Sequence, residues 1–244
     1  MSNIAIFGAT SAIAGEVARL YAARGDRLFL AGRRGDGLAR LAADLTVRGA
    51  AAAIPFEVDF ADVTRFSPML DACEAAIGRP DVVLLAYGSL PDQRENERDP
   101  ERAARELHIN FVSPAVLLDA AALRLAPGGR IAAITSVAGD RGRQSNYLYG
   151  AAKGGLSRYL QGLRHRLASD GIKVVDVRPG FVDTPMTAHI DKGGPLWAAP
   201  EKVAADIVRA LERGRSTVYT PWFWGPIMRI VRTVPERLFH RTKL

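Results

Sequence analysis

The sequence of 244 residues is short of cysteine, of long apolar runs and of repetition, and each shortage removes a class of explanation. Cys73 is the only cysteine, so no intrachain disulfide can form. Its place in the pattern Met69, Leu70, Cys73, Ile77 marks a packed helix residue rather than a reactive thiol. No stretch approaches the roughly 20 apolar residues of a membrane-spanning helix. The start, Ser2-Asn3-Ile4-Ala5-Ile6-Phe7, lacks the basic opening and long apolar stretch of a signal peptide. These absences lead to the expectation of a cytoplasmic protein.

With hydrophobic residues at 48%, the chain can bury a full core, and a single α/β domain is the default at this length. The formal net charge of +7 invites a nucleic-acid or membrane reading only if the charges cluster. They do so in residues 222–244, where Arg229, Arg232, Arg237, Arg241 and Lys243 face Glu236 alone. Residues 1–221 therefore read as one domain and 222–244 as a basic, aromatic, amphipathic appendage. The charged run Pro91–Pro100 reads as a solvated surface loop.

Short apolar runs alternate with longer segments of helical period, the pattern of a parallel sheet covered on both faces. Strands are expected at Ile4–Phe7, Arg27–Ala31, Ala52–Val58, Val82–Ala86, Arg130–Thr135, Lys173–Val177 and Thr217–Tyr219. Between them, Ile13, Val17, Leu20 and Tyr21 form one apolar helical stripe, and Leu156, Leu160, Leu163 and Leu167 another. The fold class is α/β, a doubly wound Rossmann-type parallel sheet of about seven strands.

Gly8-Ala9-Thr10-Ser11-Ala12-Ile13-Ala14-Gly15 links the first strand to the first helix, where free backbone N–H groups and the helix dipole favour a pyrophosphate. Ala12 and Ala14 stand where a dinucleotide fingerprint often has glycine, so close helix packing is the competing explanation. The second strand ends in Ala31-Gly32-Arg33-Arg34, with cations where a free ribose would meet a carboxylate. Arg33 and Arg34 suit a 2′-phosphate, which favours NADP(H) and leaves NAD(H) open. Asp59, after the third strand, either meets an adenine edge or caps a turn.

Tyr149 and Lys153 lie at i, i+4, on one helix face. A phenol is a sluggish acid near neutrality, and an adjacent ammonium favours its ionised form, so Lys153 is expected to lower the pKa of Tyr149. Ser136, at the carboxyl end of the fifth strand, is placed to hydrogen-bond the same carbonyl oxygen. Asn110, in the preceding helix, is expected to hold a water behind the lysine; Tyr147 is a competing phenol.

In order and spacing, Gly8…Ala14, Asn110, Thr135-Ser136, Tyr149…Lys153 and Arg178-Pro179-Gly180-Phe181-Val182-Asp183-Thr184-Pro185-Met186 resemble the short-chain dehydrogenase/reductase family over roughly residues 3–220. The resemblance implies Tyr149 as proton donor or acceptor, Lys153 as its tuner and ribose ligand, Ser136 as carbonyl anchor and Asn110 as relay. It implies cofactor contacts from Gly8, Thr10, Ser11, Ala12, Ile13, Asp59 and Phe60. Ala86, Tyr87 and Gly88 join them, with Pro179, Gly180, Val182 and Thr184 beside the nicotinamide. It further implies a homodimer or homotetramer paired through the helices around Asn110 and Tyr149. The segment Leu85-Ala86-Tyr87-Gly88 departs from the family's usual Asn-Asn-Ala-Gly.

The tail, with Gly139-Asp140-Arg141-Gly142-Arg143, more loosely resembles the reductase component of the decaprenylphosphoryl-ribose 2′-epimerase system. That implies a keto-sugar on a polyprenyl phosphate, met by peripheral contact of 222–244 with the inner face of the membrane. Ile227, Ile230, Val231 and Val234 would be the lipid-facing side; a helix docked on the protein is the competing reading. Residues 187–197 are expected to form a mobile lid. An NADP-binding sensor without turnover is the alternative function, and proline at 226 and 235 argues against nucleic-acid binding.

Overall fold

The computed structural model describes residues 1–188 and 190–242. Nine strands occur among them: β1 (Asn3–Phe7), β2 (Arg27–Gly32), β3 (Ala52–Glu57), β4 (Val82–Leu85), β5 (Arg130–Ile134), β6 (Lys173–Pro179), β7 (Phe181–Val182), β8 (Trp197–Ala198) and β9 (Thr217–Thr220). Ten helices accompany them: α1 (Ala12–Ala22), α2 (Gly35–Val47), α3 (Phe66–Ile77), α4 (Gln93–Arg98), α5 (Pro100–Leu107), α6 (Ser113–Ala122), α7 (Tyr147–Arg166), α8 (Pro200–Glu212), α9 (Trp224–Thr233) and α10 (Glu236–Phe239). Seven strands make one parallel sheet in the order β3-β2-β1-β4-β5-β6-β9, the doubly wound arrangement expected.

Strand alternation builds two cores from one sheet. In β1, Ile4 and Ile6 join Val17, Leu38 and Ile207 beneath α1, α2 and α8. Ala5 and Phe7 join Met69, Leu118 and Leu160 beneath α3, α6 and α7 on the other face. Cys73 is buried in this second core, and burial pushes its thiol up to about 12, as an inert packed residue requires.

Three segments depart from expectation. Residues 91–100 contain α4 rather than a solvated loop. Asp92 caps it by accepting from the backbone N–H groups of Arg94 and Glu95, while Gln93 and Asn96 turn inward. The expected lid ends in structure, because Trp197–Ala198 pairs in parallel with Phe181–Val182; His189 lies outside the described residues.

The tail is docked. Trp224 and Met228 are buried against Val137, with Ile227 and Val231 packed alongside, whereas Ile230 points outward. The apolar side expected to face lipid is thus divided, since an i, i+4 anchor set turns Ile227 inward and leaves Ile230 outside. Lys243 lies outside the described residues. No helix among those described is long and apolar enough to cross a membrane.

Candidate active site

Expected site residues from six strands, β1 to β6, gather at the carboxyl edge of the sheet, where open parallel sheets bind ligands. At one end, Gly8 leaves β1 with φ +89°, and a Cβ there would lie 2.7 Å from the backbone nitrogen of Tyr87. Only glycine lets the turn after β1 sit this close to the turn after β4. Ser11 then caps α1, accepting from Ala14 N–H at 3.3 Å, and the first-turn N–H groups of Ala12 and Ile13 lie at the open helix end.

A cleft of about 480 Å³ opens there, lined by Thr10, Ser11, Ala12, Arg34, Gly37 and Arg40. Glu16 and Asp44 also line it, but their carboxylates are held by Arg19 and Arg48. Arg34 and Arg40 have no ion-pair partner among the described residues, so the cleft keeps a cationic excess. A helix N-terminus, small side chains and two free guanidinium groups fit a phosphorylated dinucleotide. Arg33 is exposed and does not line the cleft; Arg40, one turn into α2, was not anticipated. The substitution is geometric, because the chain turns into α2 at Arg34 and successive residues face different sides.

Asp59 caps a turn, accepting from Ala61 N–H at 3.0 Å. Phe60 is buried and stacks on Tyr87 at 4.0 Å between ring centroids, while the Tyr87 hydroxyl meets Ser113. The β4 turn is therefore held by aromatic packing where the resembling family often uses asparagine.

At the other end, Ser136 follows β5 and Tyr149 opens α7. Gly150 and Gly154 let the two segments touch: a Cβ on Gly150 would lie 2.9 Å from the Ala138 carbonyl oxygen, and one on Gly139 would lie 2.6 Å from Gly154 N. Tyr149 is half-buried. Burial pushes its pKa up to about 12, with the Ser136 hydroxyl pulling the other way. Lys153 is 3% exposed, and burial pulls its ammonium down to about 8.

Its Nζ donates to the Ile134 carbonyl at 3.3 Å and lies 5.8 Å from the Tyr149 ring centroid. The expected lowering of the phenol by the lysine is therefore not met in this arrangement. The ammonium is directed at a carbonyl and a ring face, and burial governs the phenol.

Asn110 sits in a wide helical turn, His108–Val112, of the i→i+5 kind that often re-aims a functional side chain. It is 1% exposed, and a Cβ on Gly88 would lie 2.7 Å from its Oδ1 and 3.2 Å from Lys153 Nζ. Its side chain accepts from Ser89 N–H at 3.2 Å and donates to Ser89 Oγ and Glu106. Ser89 Oγ also donates to Glu106 Oε2. Ser89 and Glu106 were missed, and no local pattern announces them.

The segment after Ser136 is pinned from two sides. Arg178 pairs with Asp140 at 2.6 Å and Asp176 at 2.7 Å, and Tyr219 donates to Asp140 at 2.7 Å. Burial by itself would lower the Arg178 pKa, but the two carboxylates outweigh it and raise it. Toward the tail, Arg141 Nη1 donates to the Val231 and Val234 carbonyls at 2.6 Å each, satisfying the end of α9, and its guanidinium stacks on Phe239 at 3.9 Å.

Trp224 lies on the Pro179–Gly180 turn so closely that a Cβ on Gly180 would fall 1.9 Å from its Nε1. Gly180 is thus explained by an indole of the tail. Val182 is buried in β7, and Thr184 caps the short turn that follows, its N–H donating to Thr187 Oγ1 at 3.2 Å.

A family model described as short chain dehydrogenase matches residues 2–194. An uncharacterized oxidoreductase of Mycobacterium tuberculosis is 38% identical over 240 residues, 98% of this chain and 96% of the relative. One of Streptomyces coelicolor is 37% identical over 243 residues, 98% and 95% of the two chains. A solved Serratia marcescens short-chain dehydrogenase/reductase, a double mutant, superposes with a TM-score of 0.81 at 20% identity, covering 90% of this chain and 96% of its own.

Proposed function

The chain belongs to the short-chain dehydrogenase/reductase family and is an oxidoreductase of that family; from this premise we propose that it moves a hydride between NADP(H) and a carbonyl/alcohol pair. The observation that carries the proposal is the half-buried Tyr149 at the start of α7 near Ser136, with the buried Lys153 one helical turn on and its Nζ 5.8 Å from the phenol ring centroid. A buried ammonium with a single hydrogen-bond partner is costly as a purely structural group, so its place one turn from a phenol suggests proton transfer.

The dinucleotide, when bound, supplies or accepts the hydride. The turn from Gly8 through Ile13 would hold its pyrophosphate, and Arg34 and Arg40 a 2′-phosphate. Asp59, Phe60, Ala86, Tyr87 and Gly88 would border its adenosine half, and Pro179, Gly180, Val182 and Thr184 its nicotinamide half. Tyr149 gives its proton to the oxygen as the carbonyl becomes an alkoxide and takes it back in the reverse direction. Ser136 orients that oxygen. Lys153, near pKa 8, can replace the proton close to neutrality. Asn110, with Ser89 and Glu106, extends the hydrogen-bonded path beyond it.

The same reading makes 222–242 part of the catalytic unit, since Trp224 and Arg141 brace both walls of the site. Exposed Val112 and Val116, on the helices around Asn110, support pairing of subunits in a homodimer or homotetramer. Trp222, Ile230 and Leu238 are exposed near Arg229 and Arg237, which supports contact with an anionic membrane surface through the outer side of the tail.

The test is oxidation of NADPH and NADH by purified protein across ketones, aldehydes and keto-sugars. Turnover with at least one carbonyl, at lower KM for NADPH, is expected. Tight NADPH binding with no turnover on any carbonyl would favour the sensor.

A further inference from the structure

A second cavity, of about 370 Å³, lies between α8 and β9, the free edge of the sheet, and shares no lining residue with the nucleotide cleft. Its charged lining is Lys202, Arg209, Arg213 and Arg215 against one carboxylate, Asp206. That carboxylate is 8% exposed and saturated: both oxygens accept from Lys202 Nζ at 2.6 Å, one from Arg209 at 3.2 Å and the other from Thr220 Oγ1 at 2.9 Å. This buried acid holds Lys202 and Arg209 at the wall and offsets one of the four positive charges, so the lining keeps a clear cationic excess.

Arg213 and Arg215, on the turn between α8 and β9, have no ion-pair partner among the described residues. Trp222 completes the rim and is 74% exposed, whereas Trp224, two residues on, is buried.

We propose that this cavity is an anion site that takes a phosphate group, as a monoester, a diester or pyrophosphate, independently of the nucleotide cleft and of the proposed reaction. Two guanidinium forks without an ion-pair partner among the described residues, lining an open volume, match a multi-oxygen anion better than a single carboxylate. A second copy of this chain seated on the same face by two-fold symmetry would set four cations against four, which disfavours self-association as the occupant. The exposed indole beside the cations suits a phosphate carried by an aromatic group or set at a lipid surface.

The proposal is tested by calorimetric titration of inorganic pyrophosphate into an Arg34→Ala/Arg40→Ala protein, which removes the competing cations of the nucleotide cleft. Binding is expected in that background, falling about tenfold or more when Arg213→Gln and Arg215→Gln are added, with circular dichroism unchanged. No binding in the background, or equal binding with and without the added pair, overturns the proposal. Cosedimentation with phosphatidylglycerol vesicles, lost in the Arg213→Gln/Arg215→Gln protein, would identify the phosphate as a lipid headgroup. Pyrophosphate binding without cosedimentation would identify it as soluble.

Discussion

The nucleotide end and the proton-transfer end share one sheet edge but are built in opposite ways. The first is open: backbone N–H groups, a glycine in close approach, and guanidinium groups in solvent. The second is closed: Asn110, Thr135, Lys153 and Asp176 are each 3% exposed or less, and the tail packs over the loop that follows Ser136. An open end works through geometry and tolerates exchange of side chains. A closed end holds ionisable groups against desolvation, so its chemistry and its stability pull against each other.

The sharpest way to break that contrast is Lys153→Met. Turnover should fall by about 10²–10⁴, while the protein gains on the order of 1–3 kcal/mol at neutral pH from losing a buried, sparsely paired charge. The sign follows from linkage. The folded pKa of about 8 lies below the ordinary 10.5, so the unfolded chain binds more protons between those values. Wild-type stability attributable to Lys153 then rises with pH across that window. Urea unfolding at pH 7 and 9 should show the variant's advantage shrinking; an advantage that stays constant would detach the lysine from the effect.

Next in size is Gly180→Ala. The added methyl must displace the Trp224 indole, destabilising by about 1–3 kcal/mol, with tryptophan emission shifted as the tail loosens. Unaltered emission and stability would mean that the tail does not close this end.

Smallest is Arg34→Ala at the open end, expected to weaken NADPH roughly tenfold and NADH far less, without changing stability. Equal weakening of both would remove the 2′-phosphate from Arg34.

What the sequence disclosed follows the same division. All seven strands of the parallel sheet are legible: the inner five are buried, near-continuous apolar runs bounded by turns, and the edge strands β3 and β9 are marked by their place between helical segments. The Tyr149/Lys153 pair is legible because a helix fixes its spacing. The wide turn at Asn110, the inward turn of Gln93 and Asn96, and the choice of Arg34 and Arg40 over Arg33 are not, since they depend on which way the backbone faces. Least legible is the tail. Its amphipathic period is real, but only the fold shows that Trp224 and Met228 meet Val137 and Gly180 rather than lipid. The pKa of Tyr149 eluded prediction for a related reason, because burial depends on everything packed around the phenol.

The central claim is that Tyr149 moves the proton. Its most direct test is Tyr149→Phe, with single-turnover NADPH oxidation and dinucleotide affinity measured on the same preparation. The account predicts affinity within about twofold of wild type and a rate lower by about 10²–10⁴. A rate near wild type at unchanged affinity would contradict it and pass the role to Tyr147, the phenol that donates to Glu97 on α4.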